Sequence, residues 1–336
     1  MSRRRLGLLA RLAASLCLLW VMVEQAGVEQ LAATFSDLKL WPVAGVFVAY
    51  VVDSLVRAFN WHLLLAARNR HASLWSVFSS LVIGGFFGFF IPSSLGPDLA
   101  RSVALGRREK MPIEEAASSV VMLNLTGLWA LGAVVLVGLA TVGIGFGAPN
   151  WWPALAVVGA SAVIGIPVGL MSRISLPRWD ASHGVAERVN RFSETLEEYR
   201  EVRFQLVPAF LIAIVNQLMT ALIFYLGFGA AGVWLHPLYL LVLAPAVTLS
   251  RLVPLSVAGF GMEQGVVVVL FAWAGAAAAE ALTASLAIST VNLIFTAFGG
   301  LLYVGMTANR LTVSDTLAGV APSEQTREIS TKEPDE

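Results

Sequence analysis

Asp53 and Arg57 stand four residues apart inside the apolar run 43–66, and Asp98 and Arg101 stand three apart just beyond the Gly/Phe-rich run 74–96. Arg251 follows a window, 204–250, that holds no Asp, Glu, Lys or Arg, and it precedes Pro254 by three residues. Glu263 comes shortly afterwards. Charges in such surroundings are costly, and they persist where they pair with one another or meet a polar ligand. The acid-first i,i+4 spacing of Asp53 and Arg57 suits a structural ion pair on one helix face. Asp98 and Arg101 allow two roles, a helix N-cap with an interfacial arginine or an anion seat at a broken-helix terminus. Arg251 requires a partner, and the candidates are Glu263, Asp98 or a lipid phosphate. Glu263 could equally be only its counter-ion.

Two short segments carry these charges. Ile91-Pro92-Ser93-Ser94-Leu95-Gly96-Pro97-Asp98 and Val253-Pro254-Leu255-Ser256-Val257-Ala258-Gly259-Phe260-Gly261-Met262-Glu263 share an order: aliphatic, Pro, one residue, Ser, aliphatic, then Gly and an acid. Pro costs a helix interior about 3 kcal/mol and Gly about 1 kcal/mol, so both apolar stretches are expected to break there. Irregular backbone at membrane depth has to be buried in protein or line a wet cavity. Paired breaks in two halves of a chain point to a transporter's binding site. The candidate substrate-binding residues are therefore Pro92, Ser93, Ser94, Gly96, Asp98 and Arg101 at the first break. At the second they are Arg251, Ser256, Gly259, Gly261 and Glu263. Ser79, Ser80, Ser93, Ser94 and Ser256 suit backbone capping better than nucleophilic attack.

Other chemistries lack their residues. Lys39, Lys110 and Lys332 are the three lysines, and none follows a Gly-rich phosphate loop. His62, His71, His183 and His236 are scattered without metal-ligand spacing. No Gly-x-Ser-x-Gly elbow occurs. The expectation is a protein that is not an enzyme, with no catalytic residue, metal or cofactor, that uses no ATP and binds no nucleic acid.

The elements that must position these residues follow from composition. Apolar and aromatic residues make up 57% of the 336 and charged ones only 13%, against about 25% charged in soluble domains. Residues 116–172 carry no Asp, Glu, Lys or Arg, which is room for two spans of about 20 residues. The fold class is an all-α polytopic membrane protein. Full spans are expected near 10–23, 43–66, 116–141, 153–171, 206–229 and 284–306, about six in all. Segments 74–96 and 238–276 are read as opposed re-entrant helical hairpins, with eight full spans as the alternative. The 22 basic and 22 acidic residues cancel, and the single Cys17 excludes an internal disulfide.

Orientation rests on the basic residues, which collect in cytoplasmic loops. Arg3, Arg4 and Arg5 precede a first span with no cleavage site, and 172–205 holds six arginines. Both ends and the loops 67–73, 97–115 and 172–205 are then cytoplasmic only if 74–96 returns to its starting side. Lys39, Arg57 and Arg251 are the basic residues outside that pattern. The result is one membrane domain, 1–306, with inverted halves 1–141 and 153–306, and a disordered cytoplasmic tail, 307–336. Val185, Val189, Phe192, Leu196, Tyr199 and Val202 recur at helical spacing, which predicts an amphipathic helix over 184–204 lying at the cytoplasmic interface. Trp41, Trp61, Trp75, Trp151, Trp152 and Trp234 fit an interfacial aromatic belt. Asn124, Asn216 and Asn292 are placed to hydrogen-bond between helices.

The same residues carry a family resemblance. Ile91-Pro92-Ser93-Ser94-Leu95-Gly96-Pro97-Asp98-Leu99-Ala100-Arg101 resembles the Leu-Pro-x-Ser-x-Gly-Gly-Asp-x-x-Arg motif of the lysylphosphatidylglycerol synthase transmembrane-region, or flippase-like, membrane proteins. Arg57-Ala58-Phe59-Asn60-Trp61 looks like the Arg-Trp-containing end of that family's second span, and Pro254 to Gly265 is similar to its second Pro-x-Ser-x-Gly-Gly segment. The chain departs from the pattern at Pro97, at Glu263-Gln264, and at Asn124 and Asn292, where arginines are common. The resemblance implies a multi-pass protein of a prokaryotic cytoplasmic (inner) membrane that handles lipid, here without the fused aminoacyltransferase domain. The expected function is a flippase-like lipid transporter or lipid-binding protein for an anionic phosphate-headgroup lipid, either a phospholipid or a polyprenyl-linked one. The alternative is a non-transporting membrane partner that presents a lipid-linked substrate to a glycosyltransferase. Expected partners are membrane lipids and a glycosyltransferase or lipid-modifying enzyme.

Overall fold

The computed structural model describes residues 28–90, 96–146, 206–250 and 261–307, together with 190, 192–195, 197–199 and 202. Nine helices are described in full: α1 (Val28–Ser36), α2 (Leu40–Ala66), α3 (Leu74–Phe90), α4 (Gly96–Glu109), α5 (Ile113–Phe146), α6 (Leu206–Ala230), α7 (Pro237–Ser250), α8 (Met262–Phe271) and α9 (Ala278–Thr307). No strand occurs among the described residues. Among the described residues, four segments are long and apolar enough to cross a membrane: Leu40–Ala66, Ile113–Leu139, Leu206–Ala230 and Ala278–Val304. This is an all-helical, polytopic integral membrane protein. The expected spans 10–23 and 153–171, and the tail from 308, lie outside the described residues. Between the expected first and second spans, α1 forms and packs Leu31 against Ala279 and Leu282 of α9.

Helices α3 and α4 have 17 and 14 residues, and α7 and α8 have 14 and 10. At 1.5 Å per residue none reaches the roughly 30 Å of a hydrocarbon core. They form two helical hairpins. In the first, the Ser73 N–H donates to Glu109 at 3.3 Å and Arg108 donates to Ser79, so α3 starts where α4 ends. The end of α2 and the start of α5 lie there too, joined by the Arg70–Glu115 ion pair at 3.0 Å. In the second, Phe271 stacks on Phe224 and Phe228 with centroids 5.5 and 4.5 Å apart, so α8 finishes beside the end of α6. Trp234, just before α7, stacks on Trp41 near the start of α2, and the Lys39 N–H donates to the Ala230 carbonyl. The open ends of the two hairpins therefore face opposite ends of the bundle. Helices α2–α5 and α6–α9 each run long, short, short, long.

Helix α3 ends at Phe90 and α4 opens at Gly96, inside the stretch expected to break. Helix α3 continues through Gly84, Gly85 and Gly88 to Phe90. Those glycines permit close approach instead: a Cβ at Gly84 would lie 2.7 Å from the Arg101 Cβ and 2.8 Å from the Pro97 carbonyl, and one at Gly88 would lie 2.7 Å from the Pro97 ring. On the other side, a Cβ at Gly299 would lie 2.3 Å from the Val82 carbonyl, so α9 presses equally hard on α3. Small residues at i and i+4 bring helices together where water supplies no driving force. The return arm, read from sequence as part of a polar loop over 97–115, is helix α4, with Gly96, Arg101, Ser102, Leu105 and Gly106 buried along it.

One further expectation is corrected. Trp61 is fully buried rather than interfacial, and its indole N–H donates to Ser119 at 2.8 Å. Trp41, Trp75 and Trp234 are exposed, as a belt requires, and Trp151 and Trp152 lie outside the described residues. Of the helix expected over 184–204, residues 192–195 and 197–199 are described as helical, and they dock on the protein. Tyr199 joins the core of Trp61, Leu64, Leu65 and Leu105, its hydroxyl donates to the Leu64 carbonyl at 3.2 Å, and the Arg68 guanidinium sits 5.0 Å over its ring. Arg68 in turn pairs with Glu198 and donates to Ser118 at 3.3 Å. A buried guanidinium needs that company, which explains why this segment docks.

Candidate functional site

The depth of the candidate residues follows from helix rise. Arg57 lies nine residues before Ala66, Arg101 eight before Glu109, Asn124 eleven after Ile113, and Asn216 ten after Leu206. At 1.5 Å per residue these are roughly 12–17 Å from the same end of the bundle, close to the middle of a 30 Å core. A polar layer thus crosses the bundle at mid-depth.

Its centre is the first hairpin tip. Pro97 and Asp98 open α4, where proline suits the first turn and an acid suits the dipole. Asp98 is held at both oxygens. Its Oδ1 accepts from Arg101 Nη2 at 2.5 Å, and its Oδ2 accepts from Asn124 Nδ2 at 2.6 Å. Arg101 Nη2 also donates to Asn124 Oδ1 at 3.1 Å, closing a triangle between α4 and α5. Arg101 is only 6% exposed, and its Nε–H is buried with no acceptor among the described residues. Arg57 of α2 is exposed and near enough to repel the Arg101 guanidinium. The arrangement is a buried cation with one donor to spare, a carboxylate partly in reach of solvent, and an exposed amide. Such a group can take oxyanions, because guanidinium donors match two oxygens at once.

Asp53, expected to pair with Arg57 along α2, is engaged from another helix. The carboxylate of Asp53 is drawn across to α6, where Asn216 Nδ2 donates to its Oδ1 at 2.9 Å and to its backbone carbonyl at 3.0 Å. Ion pairs join Arg68 to Glu198, Arg70 to Glu115 and Arg101 to Asp98. Asp98 and Arg101 combine in one local pair, and Arg101 is buried rather than snorkelling.

The second tip is built on a turn. Gly261 has φ +86°, a conformation that favours glycine, and its N–H donates to Gln264 Oε1 at 2.7 Å. Gln264 Nε2 donates to Ser289 of α9 at 3.0 Å. Glu263 is buried in the first turn of α8. Pro92, Ser93, Ser94, Arg251, Ser256 and Gly259 lie outside the described residues. Gln264 and Ser289 contribute hydrogen bonds at this tip that the sequence motif, with its acid at 263, does not point to. Asn124 and Asn216 bond across helices as expected. Asn292 makes no side-chain hydrogen bond with the described residues. No group of His, Cys, Asp and Glu there could hold a metal.

Residues 8–300 match the family model of the lysylphosphatidylglycerol synthase TM region, and the chain belongs to that family. No curated protein and no solved structure is similar enough to count as a match.

Proposed function

We propose that this protein is a flippase-like lipid transporter that receives the phosphate headgroup of an anionic lipid, either a phospholipid or a polyprenyl-linked one, at the Asp98–Arg101–Asn124 seat. The observation that carries this reading is a buried arginine at mid-depth with an unused donor, at the tip of a short hairpin and beside a second, exposed arginine. Ionisable groups at that depth mark substrate paths, and helix N-termini there favour anionic ligand groups. Membership of a family named for a phospholipid synthase's membrane part supports a lipid as the ligand. The surface beside the seat is suited to acyl chains: Val52, Leu55 and Phe59 of α2 are exposed around Arg57. We read the hairpins as re-entrant from opposite leaflets, with the α3–α4 open end cytoplasmic. The cytoplasmic membrane is then the site of action, and no chemical step is involved.

Reconstitution tests this reading. Purified protein in vesicles carrying a fluorescent phosphatidylglycerol should accelerate its exchange between leaflets, measured by quenching from outside, and Arg101→Gln should remove the acceleration. Protein-free rates in vesicles that contain folded wild-type protein would leave a lipid-holding role and rule out transport.

A further inference from the structure

We infer that Asp98 is a built-in competitor for the anion seat, so that a phosphate group enters by displacing a carboxylate the protein itself supplies. The inference rests on the lipid-headgroup reading and names how that site is regulated.

Three observations carry it. First, Asp98 presents its two oxygens as an anionic ligand would: one goes to the Arg101 guanidinium and the other to the Asn124 amide. Second, the carboxylate does not saturate the guanidinium. The Nε–H of Arg101 is buried and has no acceptor among the described residues, although an orphaned charged donor at 6% exposure is costly. A phosphate has more oxygens than a carboxylate, and it can accept from Nη2 and Nε together while keeping one for Asn124. Third, the acid's hold is short-range and partly open. Asp98 lies one helical turn from Arg101 on α4, and its side chain is 26% exposed against 7% for the arginine, whose Cβ abuts α3 at Gly84. The more accessible partner of the pair is therefore the acid, and the more enclosed one is the cation. Arg57 adds a further positive field that favours a second anion over a vacated seat.

A carboxylate in this place keeps a mid-depth arginine neutralised when no headgroup is present, which lowers the cost of an empty site. It also weakens binding, so that a headgroup can leave again. A transporter site needs that property more than it needs affinity.

The test measures association of spin-labelled phosphatidic acid and phosphatidylcholine with the full-length protein in phosphatidylcholine vesicles. Wild type should prefer the anionic label. Asp98→Asn keeps the shape and removes the competing charge, and it should raise that preference about tenfold, the size of one charge-assisted hydrogen bond. Should Asp98→Asn fail to fold, Asp98→Ser removes the same charge with a side chain that suits a helix N-terminus, and it should likewise raise the preference about tenfold. If Arg101→Gln abolishes the preference while neither variant raises it, Asp98 is part of the binding set and the competitor role is wrong, although the lipid reading stands. If wild type shows no anionic preference and Arg101→Gln changes nothing, both are wrong. Inorganic phosphate is the second arm. Displacement of the label by free phosphate at the potency of the lipid would place a soluble anion in the seat, overturning the lipid while keeping the exchange with Asp98.

Discussion

Gly84→Ala is the most discriminating perturbation of the scaffold that holds the seat. The added methyl would lie 2.7 Å from the Arg101 Cβ, 2.8 Å from the Pro97 carbonyl and 3.2 Å from the Arg101 backbone nitrogen. Two of those neighbours are backbone, so α3 and α4 have to separate. Overpacking of this kind costs about 1–3 kcal/mol, while replacing glycine by alanine in a helix returns about 1 kcal/mol. Gly127→Ala on α5 isolates the propensity gain, because a Cβ there meets nothing within 4 Å. The propensity gain is common to both, so their difference is the packing cost alone, about 1–3 kcal/mol. Thermal unfolding of detergent-purified protein, followed by the monodisperse fraction, should place Gly84→Ala about 5 °C below Gly127→Ala. Gly84→Ala should also lose anionic-lipid retention, since Arg101 moves with α4. Equal stability of the two variants would refute the close-packed hairpin.

Three further outcomes follow from particular contacts. Glu198→Gln leaves the buried Arg68 charge without its counter-ion and should cost about 1–3 kcal/mol, read as a lower unfolding temperature. Burial pushes the Tyr199 hydroxyl up to about 12 from an ordinary value of 10, so the neutral form is favoured by folding. Its contribution is complete below pH about 10 and is lost as pH rises through about 12; Tyr199→Phe should flatten the stability profile over that window. Gln264→Leu removes the acceptor of the Gly261 N–H and the donor to Ser289, and it should destabilise by about 1–3 kcal/mol. A Gln264→Glu variant, which keeps the acceptor, should recover part of the loss.

The long helices are legible in the sequence because lipid demands uninterrupted apolar runs: 43–66 and 206–229 match α2 and α6 to within three residues. The hairpins are legible as places where Gly and Pro collect, but the physical role of the glycines is not. A glycine that breaks a helix and one that lets another helix touch it look alike in one chain, and only the Pro97 and Arg101 contacts distinguish them. Helix α4 is hidden for a related reason. Its Arg101, Arg107, Arg108 and Glu109 read as a solvated loop, because the burial of Arg101 depends on Asn124, 23 residues away. Hydropathy likewise cannot separate an interfacial Trp41 from a buried Trp61 whose indole finds Ser119. The Asp53–Arg57 spacing satisfies the rule for an isolated helix, but no local rule reveals Asn216 of α6, which donates to the same acid. Asp98 and Arg101 are legible as a pair, since their partnership is local.

The central claim is that Arg101 receives a lipid phosphate, and native mass spectrometry of the purified protein tests it most directly. Wild type should retain a bound phosphate-headgroup lipid through detergent exchange. Arg101→Gln should lose it while remaining folded, and Arg57→Gln should weaken it. Equal lipid retention by wild type and Arg101→Gln would contradict the account.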